Sequence, residues 1–185
     1  VEPGVLLVAT IRRDGTPRLS PVEPLLLDRD LWLSMMWRSR KVSDLASDNR
    51  VLVHSIVTSP LGDEGDVKLR GRAIGVHDPQ ARERYCDAVE CLGWRPVEPY
   101  FHLFLIDIAN VTSIRYADTG DQYVTRWPRG GEFVRRETTA TSVGEPEQIS
   151  DLLPGPSPGT SSGTEVDVDR SPVMDGDAPS TGSSA

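Results

Sequence analysis

Apolar residues come in short runs of strand length, and the breaks between them are turn-forming. Gly4 to Ile11 is almost continuously apolar and predicts a buried strand. Arg13-Asp14-Gly15-Thr16 ends it, and Asp-Gly is a hairpin signal. Pro17 to Leu27 predicts a second strand that Pro21 and Pro24 either bend or keep at an edge. Asp28-Arg29-Asp30 turns the chain into a third strand, Leu31 to Trp37, whose Trp32 and Trp37 are expected to share a face as core or dimer contacts. The period then changes. Val42-Ser43-Asp44-Leu45-Ala46 predicts a short helix closed by Asp48-Asn49-Arg50. Val51 to Val57 reads as a fourth strand, Leu61 to Asp66 as a polar loop, and Val67 to Val76 as an alternating fifth strand.

Asp78-Pro79 places an N-cap before a proline at the first helical position. That helix runs to about Leu92 and stops at Gly93, with Arg82 and Arg84 expected on its solvated side. Phe101 to Ile108 is a sixth strand, and Val111 to Tyr116 continues the sheet. Gln122 to Trp127 and Glu132 to Arg135 form a last hairpin around Pro128-Arg129-Gly130-Gly131. Six to eight short antiparallel strands and two short helices predict a mainly β (α+β) barrel rather than a parallel sheet.

Composition changes the picture at the C-terminal end. The net charge is −8 and the hydrophobic fraction 37%, yet residues 1–137 are nearly neutral. Thr138 to Ala185 carries one basic residue, Arg170, against eight acidic ones. This stretch is rich in Pro, Gly, Ser and Thr and has no aromatic residue. It lacks the apolar surface to offset its ordering entropy, so residues 138–185 are expected to be a disordered acidic tail. The acidic total therefore says little about the partners of domain 1–137. Basic residues form no stripe interleaved with aromatics, which argues against nucleic acid. No apolar run is long enough to span a membrane, and no signal peptide is present, so a cytoplasmic protein is expected. Cys86 and Cys91 turn to different faces and predict no disulfide. The chain begins at Val1, close to a strand, and a preceding segment is expected.

One junction carries chemistry. Ser39-Arg40-Lys41 lies between an apolar strand and a helix start. Two adjacent cations and free helix N–H groups suit a phosphate. Lys41 and Lys68 are the chain's two lysines. His54 is expected in the core or an interface, and His77 reads as structural. His102 reads as the exposed side of its alternating strand. Trp94 and Trp127 fall in predicted loops, where they would line a cofactor edge. No nucleophile or acid–base pair stands out, which fits electron transfer better than hydrolysis.

Three segments together resemble the pyridoxamine 5′-phosphate oxidase-like split-barrel superfamily. Asp14-Gly15-Thr16-Pro17-Arg18-Leu19-Ser20-Pro21-Val22 is similar to its hairpin. Ser39-Arg40-Lys41-Val42-Ser43-Asp44-Leu45 with Asp48-Asn49-Arg50-Val51 is similar to its phosphate-binding turn. Val67-Lys68-Leu69-Arg70-Gly71-Arg72-Ala73 is similar to its "V-x-G-x-A" strand. Phe101-His102-Leu103-Phe104 with Asp107-Ile108 is similar to a group of uncharacterised actinobacterial members. The resemblance spans about Gly4 to Arg135. It implies a homodimeric split β-barrel that binds FMN or the deazaflavin F420 between subunits. Ser39, Arg40 and Lys41 would hold the cofactor phosphate. Ser20, Pro21 and Val22 would run beside the ring, Ser34 and Met35 beside the ribityl chain, and Asp66 or Lys68 near the ring's polar edge.

Two departures stand out. Oxidases of pyridoxamine phosphate carry a substrate-binding lysine where this chain has Glu23-Pro24, and their terminal Arg-x-His motif is absent. That activity is not expected. The resemblance implies an FMN- or F420-dependent oxidoreductase acting on a small substrate. F420, with its longer anionic tail, would draw on Arg38, Lys68 and Arg70. The alternative is a non-catalytic flavin- or haem-binding carrier of the same fold; because some split-barrel relatives handle haem, the resemblance would then make His102 an axial haem ligand.

Overall fold

The structure, a computed structural model, describes residues 4–59, 63–139 and 141–151. These form β1 (Leu6–Ile11), β2 (Pro17–Val22), β3 (Pro24–Leu27), β4 (Asp30–Met36), α1 (Arg40–Ser47), β5 (Arg50–Ser55) and β6 (Asp66–Gly75). There follow α2 (Pro79–Glu90), β7 (Phe101–Tyr116), β8 (Gln122–Trp127), β9 (Gly131–Arg135) and β10 (Glu147–Ser150). Every pairing is antiparallel.

The ladders define a ring. β2 pairs β1, β1 pairs β5, β5 pairs β6, β6 pairs β7, β7 pairs β4 and β4 pairs β3. β2 and β3 are separated by Glu23 alone, so the ring closes through the chain itself. The ladder changes partner there: Val22 ends the pairing with β1, and Pro24 opens the pairing with β4 opposite Leu33. β7 is 16 residues long. Its first half borders β4 and its second half borders β8, while β6 flanks both. β8, β9 and β10 thus form a leaf that leaves the barrel.

Alternation along β4 and β7 separates two cores. Leu31, Leu33 and Met35 face inward with Phe104 and Ile106, joined by Val8, Val51 and Val53; Val42 and Leu45 of α1 pack into the same cluster. Trp32, Phe101 and Leu103 face outward against Ala81, Tyr85, Cys86 and Val89 of α2. Asp78 caps α2 by accepting from the Ala81 N–H at 2.7 Å. At the first hairpin, Asp14 accepts from the Thr16 N–H at 2.9 Å, and Gly15 takes φ +82°.

The mainly β (α+β) reading with two short helices holds, with ten strands among the described residues instead of six to eight. The run Pro17 to Leu27 is two strands, and Phe101 to Tyr116 is one. A strand also forms inside the segment read as tail, where Glu147–Ser150 pairs β9. Backbone pairing, which needs no apolar side chain, is what attaches it, since all four residues are exposed. Residues 152–185 of the expected tail lie outside the described residues. Trp32 and Trp37 do not share a face. They are five positions apart, so strand alternation separates them: Trp32 packs on Tyr85, and Trp37 stacks on His102. Arg82 is not a solvated helix position either; its side chain is 15% exposed and pairs with Glu98. Cys86 is buried, Cys91 exposed, and both are free.

Candidate functional site

β4 hands the chain to α1 through a tight turn. Arg38 takes φ +57° there, a left-handed conformation that non-glycine residues seldom adopt. The Ser39 N–H donates to the Met36 carbonyl at 3.1 Å, and the Ser39 carbonyl accepts from Val42 at 3.0 Å. Ser39 occupies the N-cap, but its side chain makes no capping bond. Its Oγ is buried and finds no hydrogen-bond partner among the described residues. By helix geometry the N–H groups of Arg40 and Lys41 also lack intrahelical acceptors. A buried hydroxyl beside two free donors is costly unless a ligand completes it.

Lys41 is half-buried, and its ammonium reaches the Pro21 carbonyl at 3.4 Å. Burial lowers its pKa, so an anion that restored its lost solvation would be held well. Arg40 lies on the same turn, exposed. A buried contact holds the helix that carries them. The Asp44 carboxylate accepts from Thr10 Oγ1 at 2.8 Å and from Arg18 Nε at 2.6 Å, tying α1 to β1 and β2. Burial acts to raise the Asp44 pKa, but the hydrogen bonds from Arg18 and Thr10 and the charges of Arg18 and Arg12 outweigh it and leave it lowered.

Lys41 lines a cavity of about 680 Å³. Pro21 and Val22 supply the β2 side, and Ser34, Met35 and Met36 the β4 side. Beyond them stands the loop between α2 and β7, with Trp94, Pro96, Val97 and Tyr100. Glu23, at the break between β2 and β3, adds a carboxylate. Arg82 holds the loop in place. It pairs Glu98 through Nε at 2.7 Å and through a second nitrogen at 2.9 Å, donates to the Val76 and Phe101 carbonyls, and lies 4.3 Å over the Phe101 ring. Next to Ser34, burial pushes the Tyr85 phenol up to about 12, with a hydrogen bond to Ser34 acting the other way.

Of the residues expected at the site, Pro21, Val22, Ser34, Met35 and Lys41 meet in the cavity. Ser39 and Arg40 sit on the adjoining turn. Ser20 is half-buried on β2 and does not line the cavity. Asp66 and Lys68 are not brought there. They lie at the start of β6, paired to each other at 2.7 Å, beside the second half of β7. Trp94 lines the cavity as expected of a loop tryptophan, while Trp127 ends β8 outside it. His102 stacks on Trp37 with centroids 4.9 Å apart and does not line the cavity; burial lowers its pKa, and Arg82 and His77 add to that. Among the described residues no group of three or more His, Cys, Asp or Glu is placed to hold a metal ion. No helix is long and apolar enough to cross a membrane.

Sequence reasoning missed Val97, Tyr100 and the anchoring role of Asp44. Large apolar side chains inside the Pro-interrupted stretch from Gly93 to Tyr100 were the available signal for the first two. Asp44 gave none, because its partners lie 26 and 34 residues away.

A family model described as pyridoxamine 5′-phosphate oxidase matches residues 2–115, ending inside β7 just before the leaf. Among solved structures, PhzG from Burkholderia lata 383, in complex with tetrahydrophenazine-1-carboxylic acid, is 14% identical with TM-score 0.52, covering 75% of this chain and 84% of that one. The conserved hypothetical protein Rv2991 from Mycobacterium tuberculosis is 22% identical with TM-score 0.51, covering 60% and 76%. A NimC/NimA family protein from Clostridium acetobutylicum is 16% identical with TM-score 0.51, covering 62% and 81%. At these identities the likeness is one of fold. No curated protein matches the sequence.

Proposed function

The chain belongs to the pyridoxamine 5′-phosphate oxidase family, and on that premise we propose that it is an oxidoreductase holding FMN or F420 in the cavity beside α1. The family includes flavin-binding oxidoreductases, and flavins such as FMN or F420 are its cofactors. The unpartnered Ser39 Oγ carries this reading. A buried hydroxyl, two free helix N–H groups and the desolvated Lys41 ammonium form a donor set that suits a phosphate and no apolar ligand. Arg40, on the same turn, adds a mobile charge. Pro21, Val22 and Met35 offer a mostly apolar wall for a flat ring, and Ser34 a hydroxyl for the chain that links ring to phosphate.

When bound, such a cofactor supplies hydride or single-electron transfer to a small substrate. The protein's part is to grip the phosphate, orient the ring along β2 and keep water from it. The family is commonly dimeric. In a homodimer Asp66 and Lys68 would serve the partner's cavity, which accounts for their distance from the cavity of their own chain. Glu23 in place of a lysine, and the missing Arg-x-His, argue against pyridoxamine phosphate as substrate.

The test is titration of FMN and F420 separately into wild type and Arg40→Ala/Lys41→Ala. Loss of two charge-assisted contacts should weaken binding by about 2–5 kcal/mol. Unchanged binding in the double variant, or micromolar binding of neither cofactor, would remove the assignment. Oxidation or reduction of the bound cofactor by small acceptors or donors separates an enzyme from a carrier of the same fold.

A further inference from the structure

The cavity is lined by two charges of opposite sign, those of Lys41 and Glu23. Lys41 contacts the Pro21 carbonyl on one side. Glu23 lies two residues further along the chain, about 7 Å at strand spacing. Both line the same cavity, yet they form no ion pair, and Glu23 has no hydrogen-bond or ion-pair partner among the described residues. Its negative charge is felt nearby, since it helps to raise the Tyr85 phenol. The wall beyond is apolar and aromatic. Trp94, Val97 and Tyr100 are 41%, 66% and 65% exposed, so their faces are open to a ligand. They are nonetheless held: the Tyr100 N–H donates to the Val97 carbonyl at 2.8 Å, and the Arg82–Glu98 pair fastens the loop to α2.

We propose that the Glu23 end of the cavity selects a flat aromatic or heteroaromatic amine in its cationic form. This rests on the reading of the Lys41 end as the cofactor's phosphate site. An unpaired carboxylate among exposed aromatic faces attracts an ammonium twice, by charge and through the ring quadrupoles. It repels a phosphate or carboxylate at the same place, and specificity arises as much from that repulsion as from the attraction. The division also keeps the two anionic groups apart. The cofactor phosphate belongs beside Lys41, and a phosphorylated substrate would have to place a second anion against Glu23.

The probes are tryptamine and indole-3-propionate, nearly isosteric and opposite in charge. Isothermal titration calorimetry is run on the full chain loaded with FMN and on the unloaded chain, with wild type, Glu23→Gln and Glu23→Lys. Wild type should bind tryptamine about tenfold more tightly than indole-3-propionate. Glu23→Gln should bring the two close to equal, and Glu23→Lys should invert the order. All three should take up FMN, with Glu23→Gln and Glu23→Lys binding it no more weakly than wild type, which shows that they fold and keep the Lys41 end of the cavity. Equal binding of the probes by wild type, binding of neither, or a preference that survives Glu23→Gln would overturn the proposal. If wild type takes up neither FMN nor F420, the cofactor reading falls, while the probe ratio on the unloaded chain still decides the role of Glu23.

Discussion

Replacing Asp44 by alanine removes the contact that anchors the Ser39–Lys41 turn and its helix to the barrel. In the native protein its carboxylate meets Arg18 at 2.6 Å, with side chains 22% and 8% exposed for Arg18 and Asp44, and Thr10 at 2.8 Å. Loss of a hydrogen bond to a charged group costs about 1.5–3 kcal/mol, and stranding the buried Thr10 hydroxyl costs about 1–3 more. Arg18 keeps enough exposure to recover water, which favours the lower end of each range. The expected loss is about 3 kcal/mol, or a fall in melting temperature of about 10 °C. Asp44→Asn, which keeps an acceptor, should lose about half as much. Denaturant unfolding measures both, and a cycle with Arg18→Met should give a coupling of about 1–2 kcal/mol. The pH dependence has a definite sign. The folded pKa of Asp44 lies below its unfolded value of 3.8, so its contribution is complete above 3.8 and fades as pH falls toward the folded value. The deficit of Asp44→Ala should therefore shrink in acid. A deficit under about 1 kcal/mol at neutral pH, or one that widens below 3.8, would refute the anchoring role.

Gly71→Ala should destabilise by about 2–3 kcal/mol, because a Cβ there would stand 2.1 Å from the Asp107 carbonyl oxygen across the β6–β7 bulge; a chemical melt reads this. Arg82→Lys should weaken probe binding at the Trp94–Tyr100 wall and lower stability by about 2 kcal/mol, since lysine cannot reproduce the paired contact with Glu98 together with two carbonyl bonds. Rescue by lysine to wild-type values would count against that geometry. Truncation after Asp151 should leave the melting temperature nearly unchanged, whereas truncation after Glu137 removes β10 from β9 and should lower it measurably. Equal melting of the two truncations would mean that β10 contributes nothing.

The alternating runs, the Asp14-Gly15 turn and the Asp78-Pro79 cap are local signals, and each led to the element it names. Period 2 needs only neighbouring residues, and a cap needs only three. The strand-to-helix turn at Ser39, Arg40 and Lys41 was legible for the same reason, because the three residues are consecutive. Where a run is interrupted, local pattern loses its authority. It could not tell that Pro24 divides one run into two strands, or that β7 carries on unbroken past Ala109, since partner strands decide both.

What surrounds the Ser39–Lys41 turn is non-local. Asp44 anchors α1 only because the barrel brings β1 and β2 beneath it. Arg82, which a helical wheel leaves in solvent, is taken up by a loop that returns 16 residues later. Glu23 is one more surface carboxylate in the sequence, and only the fold brings it to the same cavity as Lys41. By itself the sequence determined the strand-rich pattern, the two helices and the consecutive cations at the start of α1. The tertiary structure decided which carboxylates meet cations and which remain free, because that depends on long-range pairing and burial that no run of neighbours encodes.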